Sequence, residues 1–259
     1  MARFRVYRVR YELHGILMFS SEVRPALGRA RGTLEVTVPT IHNYPLTYAV
    51  NGKSVEAYAV IPSLHYTLVG LGKRKVELDY PTVFETLEKL VKGEEAVYAF
   101  PARAIDVHYK KFFMSAKGMC YAEYRGNLKM GFPRTVTHVA LVPPTKLEGF
   151  LVASGNIALP RTLYLRIGMK RMGLLKARLE ELKIGKPLNE PAWTTHPVNL
   201  YDTKRFGYDV ESYVKLLETR SKPGCCPEAS IIAYVRARGL YRVCNTKECW
   251  LLPLPKMGG

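Results

Sequence analysis

The sequence predicts an α+β fold, with a four-stranded antiparallel sheet, helices on one side of it and inserted β-hairpins. Stretches with strand patterning outnumber helical ones, and the two do not alternate strictly along the chain. The chain has 259 residues, of which 47% are hydrophobic, so a packed core is expected. No internal repeat, low-complexity linker or sharp change of composition divides it.

The opening strand is predicted over residues 3–13, where charged residues alternate with Val and Tyr. The apolar residues of this strand lie at even positions up to Val6 and at odd positions from Tyr7 onwards, which indicates a bulge or burial on both faces. Further β-rich stretches follow at Thr33–Val38, 41–50 and 55–69.

The clearest helix is predicted over Thr82–Val91. Thr82 and Glu85 form a capping box at its start, and Gly93 ends it. Strands joined by Gly or Pro turns are then predicted at Ala96–Phe100, Met119–Arg125, Leu128–Met130, Thr135–Val142, Leu147–Ala153 and Arg161–Ile167.

Residues 174–184 fit two structures. Leu175, Leu179 and Leu182 recur at helical spacing, but a charged, extended strand fits equally well. The tail is predicted to hold helices over Val210–Thr219 and Glu228–Arg238, the second ended by Gly239. A hairpin is predicted over Leu240–Leu252.

The cysteines concentrate in the tail, where four of the five lie. Three interpretations of these cysteines are considered: a zinc site, a disulfide, and buried free thiols. Their spacing matches no standard zinc knuckle. The five are Cys120, Cys225, Cys226, Cys244 and Cys249.

The charge balance points to a polyanionic partner. The chain has 39 Lys and Arg against 22 Asp and Glu, a net charge of +17, and a pI near 9.7. Such an excess destabilises a compact protein by self-repulsion, and nucleic acid relieves it. The basic residues recur through the chain among 17 Tyr, as expected of a surface that binds unpaired bases and phosphates.

The usual signs of an enzyme are missing. Residues 70–73, Gly-Leu-Gly-Lys, lack the remainder of a P-loop, and only four Asp are available for a two-metal nuclease. Metal-independent RNA cleavage needs only a general base, a general acid and a cation, and His108 within Asp106–Lys111 is the best candidate base. We expect no catalytic residues, no metal and no cofactor.

Composition also indicates where in the cell the protein acts and what kind of organism it comes from. Apolar runs are too short to span a bilayer and no secretory h-region follows the N-terminus, so we expect a cytoplasmic protein without membrane contact. Gln is absent while Glu, Lys and Arg are plentiful, which is typical of a hyperthermophile, archaeal or bacterial.

Several segments resemble the signatures of one family. Residues 41–49, Ile-His-Asn-Tyr-Pro-Leu-Thr-Tyr-Ala, resemble its His-Asn-Tyr-Ala-Leu-Thr-Tyr-Ala, with Pro45 in place of Ala. Pro101-Ala102-Arg103 resembles the Pro-Ala-Arg after its helix. Residues 166–170 and 196–202 resemble divergent forms of its Arg-Leu-Gly-Lys and His-Pro-Leu-Asn-Pro-Leu-Asp segments. The chain resembles the Csc-one group, the Cas-five-type subunit of type I-D CRISPR effector complexes, from Val6 to Asp202.

The resemblance implies a RAMP protein with a ferredoxin-like, RNA-recognition-motif-like core over residues 1–202. Residues 203–259 would then be a helical and hairpin extension. It implies a non-catalytic subunit that caps the 5′ handle of CRISPR RNA and links backbone RAMP subunits to the large subunit, near target DNA at the protospacer-adjacent motif. The alternatives are a metal-independent CRISPR RNA-processing endonuclease of the same fold and an unrelated basic RNA-binding protein.

The candidate RNA-binding residues come from two sources. The resemblance implies that RNA is bound by Asn43, Tyr44, Arg103, Arg166 and Lys170. Of these, Lys170 matches the family pattern least well, because its segment is one residue longer than expected. Charge and aromatic neighbours add His108, Tyr109, Lys110, Lys111 and Arg134. Core packing for Tyr44, a solvated strand edge for Lys110 and Lys111, and an internal ion pair for Arg166 are the structural alternatives.

Overall fold

The structure, a computed structural model, describes residues 4–18, 32–51, 81–116, 134–168, 172–219 and 230–256. Strands predominate over helices in these ranges. The strands are β1 (Phe4–Leu13), β2 (Gly32–Val36), β3 (Thr40–Ile41), β4 (Val97–Ala99), β5 (Ala102–Asp106), β6 (Tyr109–Ala116), β7 (Arg134–Leu141), β8 (Lys146–Ser154), β9 (Thr162–Ile167), β10 (Gly173–Pro187), β11 (Ala192–Trp193), β12 (Val198–Asn199), β13 (Val210–Thr219), β14 (Ser230–Ala237), β15 (Tyr241–Cys244) and β16 (Cys249–Leu252). The helices are α1 (Asn43–Val50), α2 (Pro81–Lys92) and α3 (Leu200–Arg205).

The central sheet has nine strands, in the order β16-β15-β10-β1-β8-β5-β3, with β9 paired to β10 and β4 paired to β8. Every pairing within it is antiparallel. The predicted antiparallel, sheet-rich architecture is confirmed, although the sheet is larger than four strands. The ferredoxin-like arrangement stays a prediction.

Strand β1 is buried on both faces, one of the two outcomes that the parity shift predicted. Tyr7 and Val9 pack on one face with Leu46 of α1, and Val6 packs on the other with Phe150 and the α2 leucines. A strand that lies between two apolar layers has apolar residues at both parities, which explains the break in alternation.

Two smaller sheets flank the central one. The C-terminal sheet places β14 between β13 on one side and β11 and β12 on the other. A three-stranded sheet has the order β2-β7-β6, in which β2 and β7 are parallel. The C-terminal sheet contributes Val198, Ala233 and Val235 to the cluster that covers Val6 and Phe150.

The two helices predicted in the tail are wrong. Residues 210–219 form β13 and residues 230–237 form β14, paired antiparallel. Register shifts between Val210 and Ser212 and between Lys215 and Leu217 insert extra residues into β13. Each such bulge breaks the period of two and leaves an apolar spacing that imitates a helix.

A helix was also missed, because residues 43–50 of a predicted β-rich stretch form α1. The His42 side chain caps this helix by accepting a hydrogen bond from the Tyr44 backbone N–H. Pro45 lies in the first turn, where the missing N–H has no intrahelical partner to lose. His is a rarer cap than Ser, Thr, Asp or Asn, so the sequence carries only a weak start signal.

Other predictions are confirmed. The helix over Thr82–Val91 corresponds to α2, the opening strand corresponds to β1, and the ambiguous residues 174–184 are part of β10. The predicted strands over 55–69, 119–125 and 128–130 lie outside the described residues. None of the described helices has the length and apolar character that crossing a bilayer requires.

The tail hairpin is confirmed and joins the central sheet through β10. Cys244 and Cys249, which face each other across β15 and β16, form a disulfide. This excludes a zinc site that uses both of these thiols, while Cys120, Cys225 and Cys226 lie outside the described residues. Trp250 and Leu252 share one hydrophobic cluster with Val6, so strands on both sides of residue 202 share a core.

Candidate nucleic-acid interface

One end of the central sheet presents an uncovered face with a high density of cations. On the face that carries Val6 and Phe150, the C-terminal sheet covers those residues, but the rows beyond them face solvent. Directly paired residues of an antiparallel sheet project to the same face, so the register places these side chains together. We call this surface the open basic face; it comprises Arg10, Lys146, Tyr164, Arg166, Lys176 and Arg178. The same rows also carry the carboxylates of Glu12 and Glu148.

Two arginines lie opposite each other in the middle of this face. Arg10 of β1 pairs directly with Arg178 of β10, and both side chains are exposed. Like charges at directly opposed positions destabilise a sheet. Arg10 also pairs directly with Glu148 of β8, and Arg178 forms an ion pair with Glu12, so the two guanidiniums are a candidate anion site that has acidic side chains beside it.

Tyr164 supplies an aromatic ring at the edge of the same face. It is 64% exposed, it pairs directly with Lys176, and Arg166 follows two residues later on the same side of β9. An exposed ring between two cations is the arrangement that binds an unpaired base by stacking while the cations contact its phosphates.

Most cations of the open basic face are not neutralised. Arg178 lies 3.6 Å from the Glu12 carboxylate, an exposed pair that contributes little to stability. In the part of the chain that the structure describes, no ion pair forms at Arg10, Lys146, Lys176 or Arg166. The internal ion pair considered for Arg166 is therefore absent within these ranges, and its guanidinium is available to a ligand.

Arg103 lies at the β5 edge of the same face, opposite Glu148 of β8. Its Nη2 contacts Glu148 Oε2 at 3.1 Å, and its Nη1 donates to the Tyr234 hydroxyl oxygen at 3.3 Å. The side chain is 38% exposed, so one side of the guanidinium still faces solvent.

Glu148 is held between two arginines. Burial opposes its ionisation, but hydrogen bonds from Arg8 and Arg103 outweigh this effect and lower the pKa of the carboxyl. Arg8 also contacts Glu248 at 2.8 Å and lies 4.5 Å from the centre of the Trp250 ring. Arg8 is buried and contacts both Glu148 and Glu248, so it supports the face and does not form part of it.

Asn43 and Tyr44, which are predicted as RNA contacts, are buried in this structure. The Asn43 amide donates to Asp202 at 2.7 Å and accepts from Asn199 at 3.2 Å. Tyr44 packs in the hydrophobic cluster, as its structural alternative predicted. The Asn43 and Tyr44 side chains therefore tie neighbouring elements together and do not lie on the open basic face.

The two histidines of the signature segments are also structural. Burial lowers the pKa of His42 to about 3 and that of His196 to about 4, so both rings are neutral near pH 7. His196 Nε2 donates to the Pro101 carbonyl at 2.7 Å. The signature segments thus meet in a buried hydrogen-bonded cluster, with Arg103 projecting from it towards solvent.

Comparison with protein families decides the identity of the chain. The family model described as Type I-D CRISPR-associated protein Cas5/Csc1 matches residues 4–221. The chain belongs to this family. It is a CRISPR effector subunit, which confirms the resemblance read from the signature segments and excludes an unrelated basic RNA-binding protein.

Two solved structures are distant matches to this Cas5/Csc1 family member. A chain in the cryo-EM structure of the Type III-B Cmr-beta bound to cognate target RNA and AMPPnP aligns with a TM-score of 0.39 and 10% identity, over 89% of this chain and 86% of that chain. A CRISPR protein from Archaeoglobus fulgidus aligns with a TM-score of 0.36 and 10% identity, over 96% of this chain and 99% of that chain. No curated protein matches the chain.

The predicted residues of β6 lie on a different sheet from the open basic face. His108 precedes this strand, and its Nε2 lies 3.2 Å from Asp106 Oδ1. Tyr109 is 45% exposed and Lys110 and Lys111 are exposed at the edge of the three-stranded sheet. Side chains alternate along a strand, so Tyr109 and Lys111 face one way and Lys110 the other.

Two further predicted residues have undescribed side chains in this Cas5/Csc1 protein. Arg134 begins β7 opposite Ala116, but its side chain is outside the described part, as is the whole of Lys170. No group of three or more His, Cys, Asp or Glu side chains in the described ranges is arranged to hold a metal ion.

Sequence reasoning identified Arg103 and Arg166 but missed the residues between them. The missed residues share a parity within their strands, and that parity was the available signal: Arg8, Arg10 and Glu12 in β1, and Lys176 and Arg178 in β10. Their convergence depends on pairing between strands more than 160 positions apart, as in Arg10 with Arg178. Only the register reveals it.

Proposed function

We propose that this Cas5/Csc1 protein is a non-catalytic subunit of the type I-D effector that binds and caps the 5′ handle of CRISPR RNA. In the same complex it joins backbone RAMP subunits to the large subunit, close to target DNA. The observation that carries the proposal is the opposed pair Arg10 and Arg178 beside the exposed ring of Tyr164. Family membership supports RNA of a CRISPR complex as the polyanion that this face binds.

The open basic face fits a single strand better than a duplex. Its cations lie in neighbouring rows of a sheet, where strands are about 4.8 Å apart, so successive phosphates of an extended strand can each meet one. Tyr164 offers a stacking surface at the edge, which a paired base cannot use because both of its faces are already stacked. A handle of fixed sequence and no pairing partner has these properties.

A matched pair of lysines on one strand tests the proposal. Lys176 and Lys183 both lie on β10, but they differ in parity and so project to opposite faces of the central sheet. In binding assays with the 5′ handle RNA of the host's own repeat, Lys176→Gln should weaken binding severalfold, and Lys176→Gln combined with Arg166→Gln should weaken it about tenfold or more. Lys183→Gln should leave the affinity unchanged; equal losses in the Lys176→Gln and Lys183→Gln proteins would refute the assigned face.

The endonuclease alternative has one observation in its favour. His108 Nε2 lies 3.2 Å from Asp106 Oδ1, so a carboxylate could orient the imidazole as a general base. We expect no cleavage when the purified protein is incubated with repeat RNA in a chelator. Cleavage that His108→Ala abolishes and Asp106→Asn slows would establish the enzyme instead. Retention of effector subunits during purification tests the assembly role separately.

A further inference from the structure

An exposed tryptophan lies beside an arginine on the C-terminal sheet. Trp193 of β11 pairs directly with Arg236 of β14, and Trp193 is 43% exposed. The two side chains therefore share one face of the sheet. The exposed part of the Trp193 ring is apolar area that a stacked base can bury.

The same face continues towards Arg103. Tyr234 lies two residues before Arg236 on β14, so it projects to the same side. Its hydroxyl oxygen accepts from Arg103 Nη1 at 3.3 Å. The rings of Trp193 and Tyr234 and the guanidiniums of Arg236 and Arg103 thus lie along the same surface.

The charge around Trp193 is in surplus. Arg236 lies 3.8 Å and Arg238 3.6 Å from the single carboxylate of Glu211, and all three side chains are substantially exposed. One carboxylate cannot neutralise two guanidiniums, and exposed ion pairs of this kind are worth little. A phosphate can therefore displace Glu211 from Arg236 at small cost.

We propose that Trp193, Tyr234, Arg236 and Arg103 form a second binding surface for single-stranded nucleic acid. An unpaired base stacks on Trp193, and the flanking phosphates contact Arg236 and Arg103. The two guanidiniums beside the single Glu211 carboxylate leave a surplus of positive charge, which favours an anionic ligand. The exposed Val214, which pairs with Tyr234, adds an apolar contact to the same face. The surface extends nucleic-acid binding beyond the open basic face, with Arg103 at the border between the two.

Tryptophan fluorescence tests this surface directly. The chain has two Trp, and Trp250 is 7% exposed, so the Trp250→Phe protein reports Trp193 alone. Titration with oligoadenylate or oligouridylate should quench Trp193 and protect it from acrylamide, whereas a duplex should do neither. Trp193→Ala should weaken binding of the oligonucleotide about tenfold, and Trp193→Phe should retain most of the affinity. If Trp250→Phe does not fold, the difference between wild type and Trp193→Phe gives the same signal.

A parallel polarisation assay with labelled oligonucleotide and handle RNA separates the two proposals. Binding seen by polarisation with no change at Trp193 would overturn the second surface and leave the open basic face intact. Loss of handle binding in the Lys176 and Arg166 variant, with Trp193 still quenched by oligoadenylate, would support both. Absence of any nucleic-acid binding would overturn the proposed function as well. Protection of Trp193 by an effector subunit and never by nucleic acid would assign the surface to a protein.

Discussion

Asn43 Nδ2 donates to Asp202 Oδ2 at 2.7 Å across 159 positions of the chain. Both residues are buried, and the Tyr98 hydroxyl donates to the same carboxylate oxygen at 2.9 Å. This contact ties α1 to α3, and so fixes two signature segments relative to each other. A residue that the family pattern marks can therefore serve the scaffold of a binding face without touching the ligand.

Asp202 should make stability depend on pH. Burial raises its pKa from 3.8 to about 6, against the hydrogen bonds from Tyr98 and Asn43 and the attraction of Arg205, which favour the ionised form. Between these values the folded state binds more protons than the unfolded state, so the free energy of unfolding falls as pH rises from about 4 to about 6. The full effect is about 3 kcal/mol.

Urea unfolding across this pH range measures the effect, and Asp202→Asn should flatten the profile. Asp209→Asn, the same change at an exposed aspartate, serves as the control and should keep the wild-type slope. An unchanged slope in Asp202→Asn would show that another group titrates.

Glu148 should be among the most sensitive positions in the fold. It is 3% exposed and binds Arg8 at 2.6 Å, and its removal leaves the buried Arg8 guanidinium with only Glu248 as a carboxylate partner. We expect Glu148→Ala to lower the free energy of unfolding by about 3–5 kcal/mol. Glu180→Ala, at an exposed carboxylate of neighbouring β10, should cost less than about 1 kcal/mol.

A double replacement identifies the cause. Arg8→Leu combined with Glu148→Leu removes both charges, and we expect it to recover much of the loss, because an apolar pair needs no compensation. If the double variant is no more stable than Glu148→Ala, packing and not the unpaired charge explains the loss.

Local features of this fold can be predicted well from the sequence, whereas long-range pairing cannot. The helix α2 could be predicted because its helical apolar spacing and the terminal Gly93 are local signals in the sequence. The strand β13 could not, since its two bulges break the alternation, and only its pairing with β14 reveals the strand period. Tertiary pairing overrides local spacing in such segments.

The candidate site shows the same limit. Arg103 and Arg166 were predicted from short motifs, and the structure places both at the open basic face or its edge. Asn43 carries an equally specific motif but is buried, because motif identity does not separate a ligand contact from a scaffold hydrogen bond. Burial and register are needed to make that distinction.

Arg10→Gln should stabilise the fold and weaken RNA binding at the same time. It removes one of the two opposed arginines, so the free energy of unfolding should rise by up to about 1 kcal/mol. The loss of one phosphate contact should reduce the slope of log affinity against log salt by about 0.7 for a single strand. Arg242→Gln, at an exposed arginine that pairs with Leu251, should change neither quantity. Lower stability in Arg10→Gln would indicate that the arginine pair is not repulsive.

The disulfide between Cys244 and Cys249 should contribute only modestly to stability. It closes a loop of six residues, for which the chain-entropy estimate is about 2 kcal/mol. Asn245 independently orders the same turn, because its side-chain oxygen accepts from the backbone N–H groups of Lys247 and Glu248 at 2.8 Å. We therefore expect Cys244→Ser with Cys249→Ser to lose no more than this amount in chemical unfolding, and to retain the RNA affinity of the wild type. Asn245→Ala in the disulfide-free background should lose more stability than Asn245→Ala in the wild type, since the bridge and the Asn245 side chain order the same turn; equal losses would mean that they act independently.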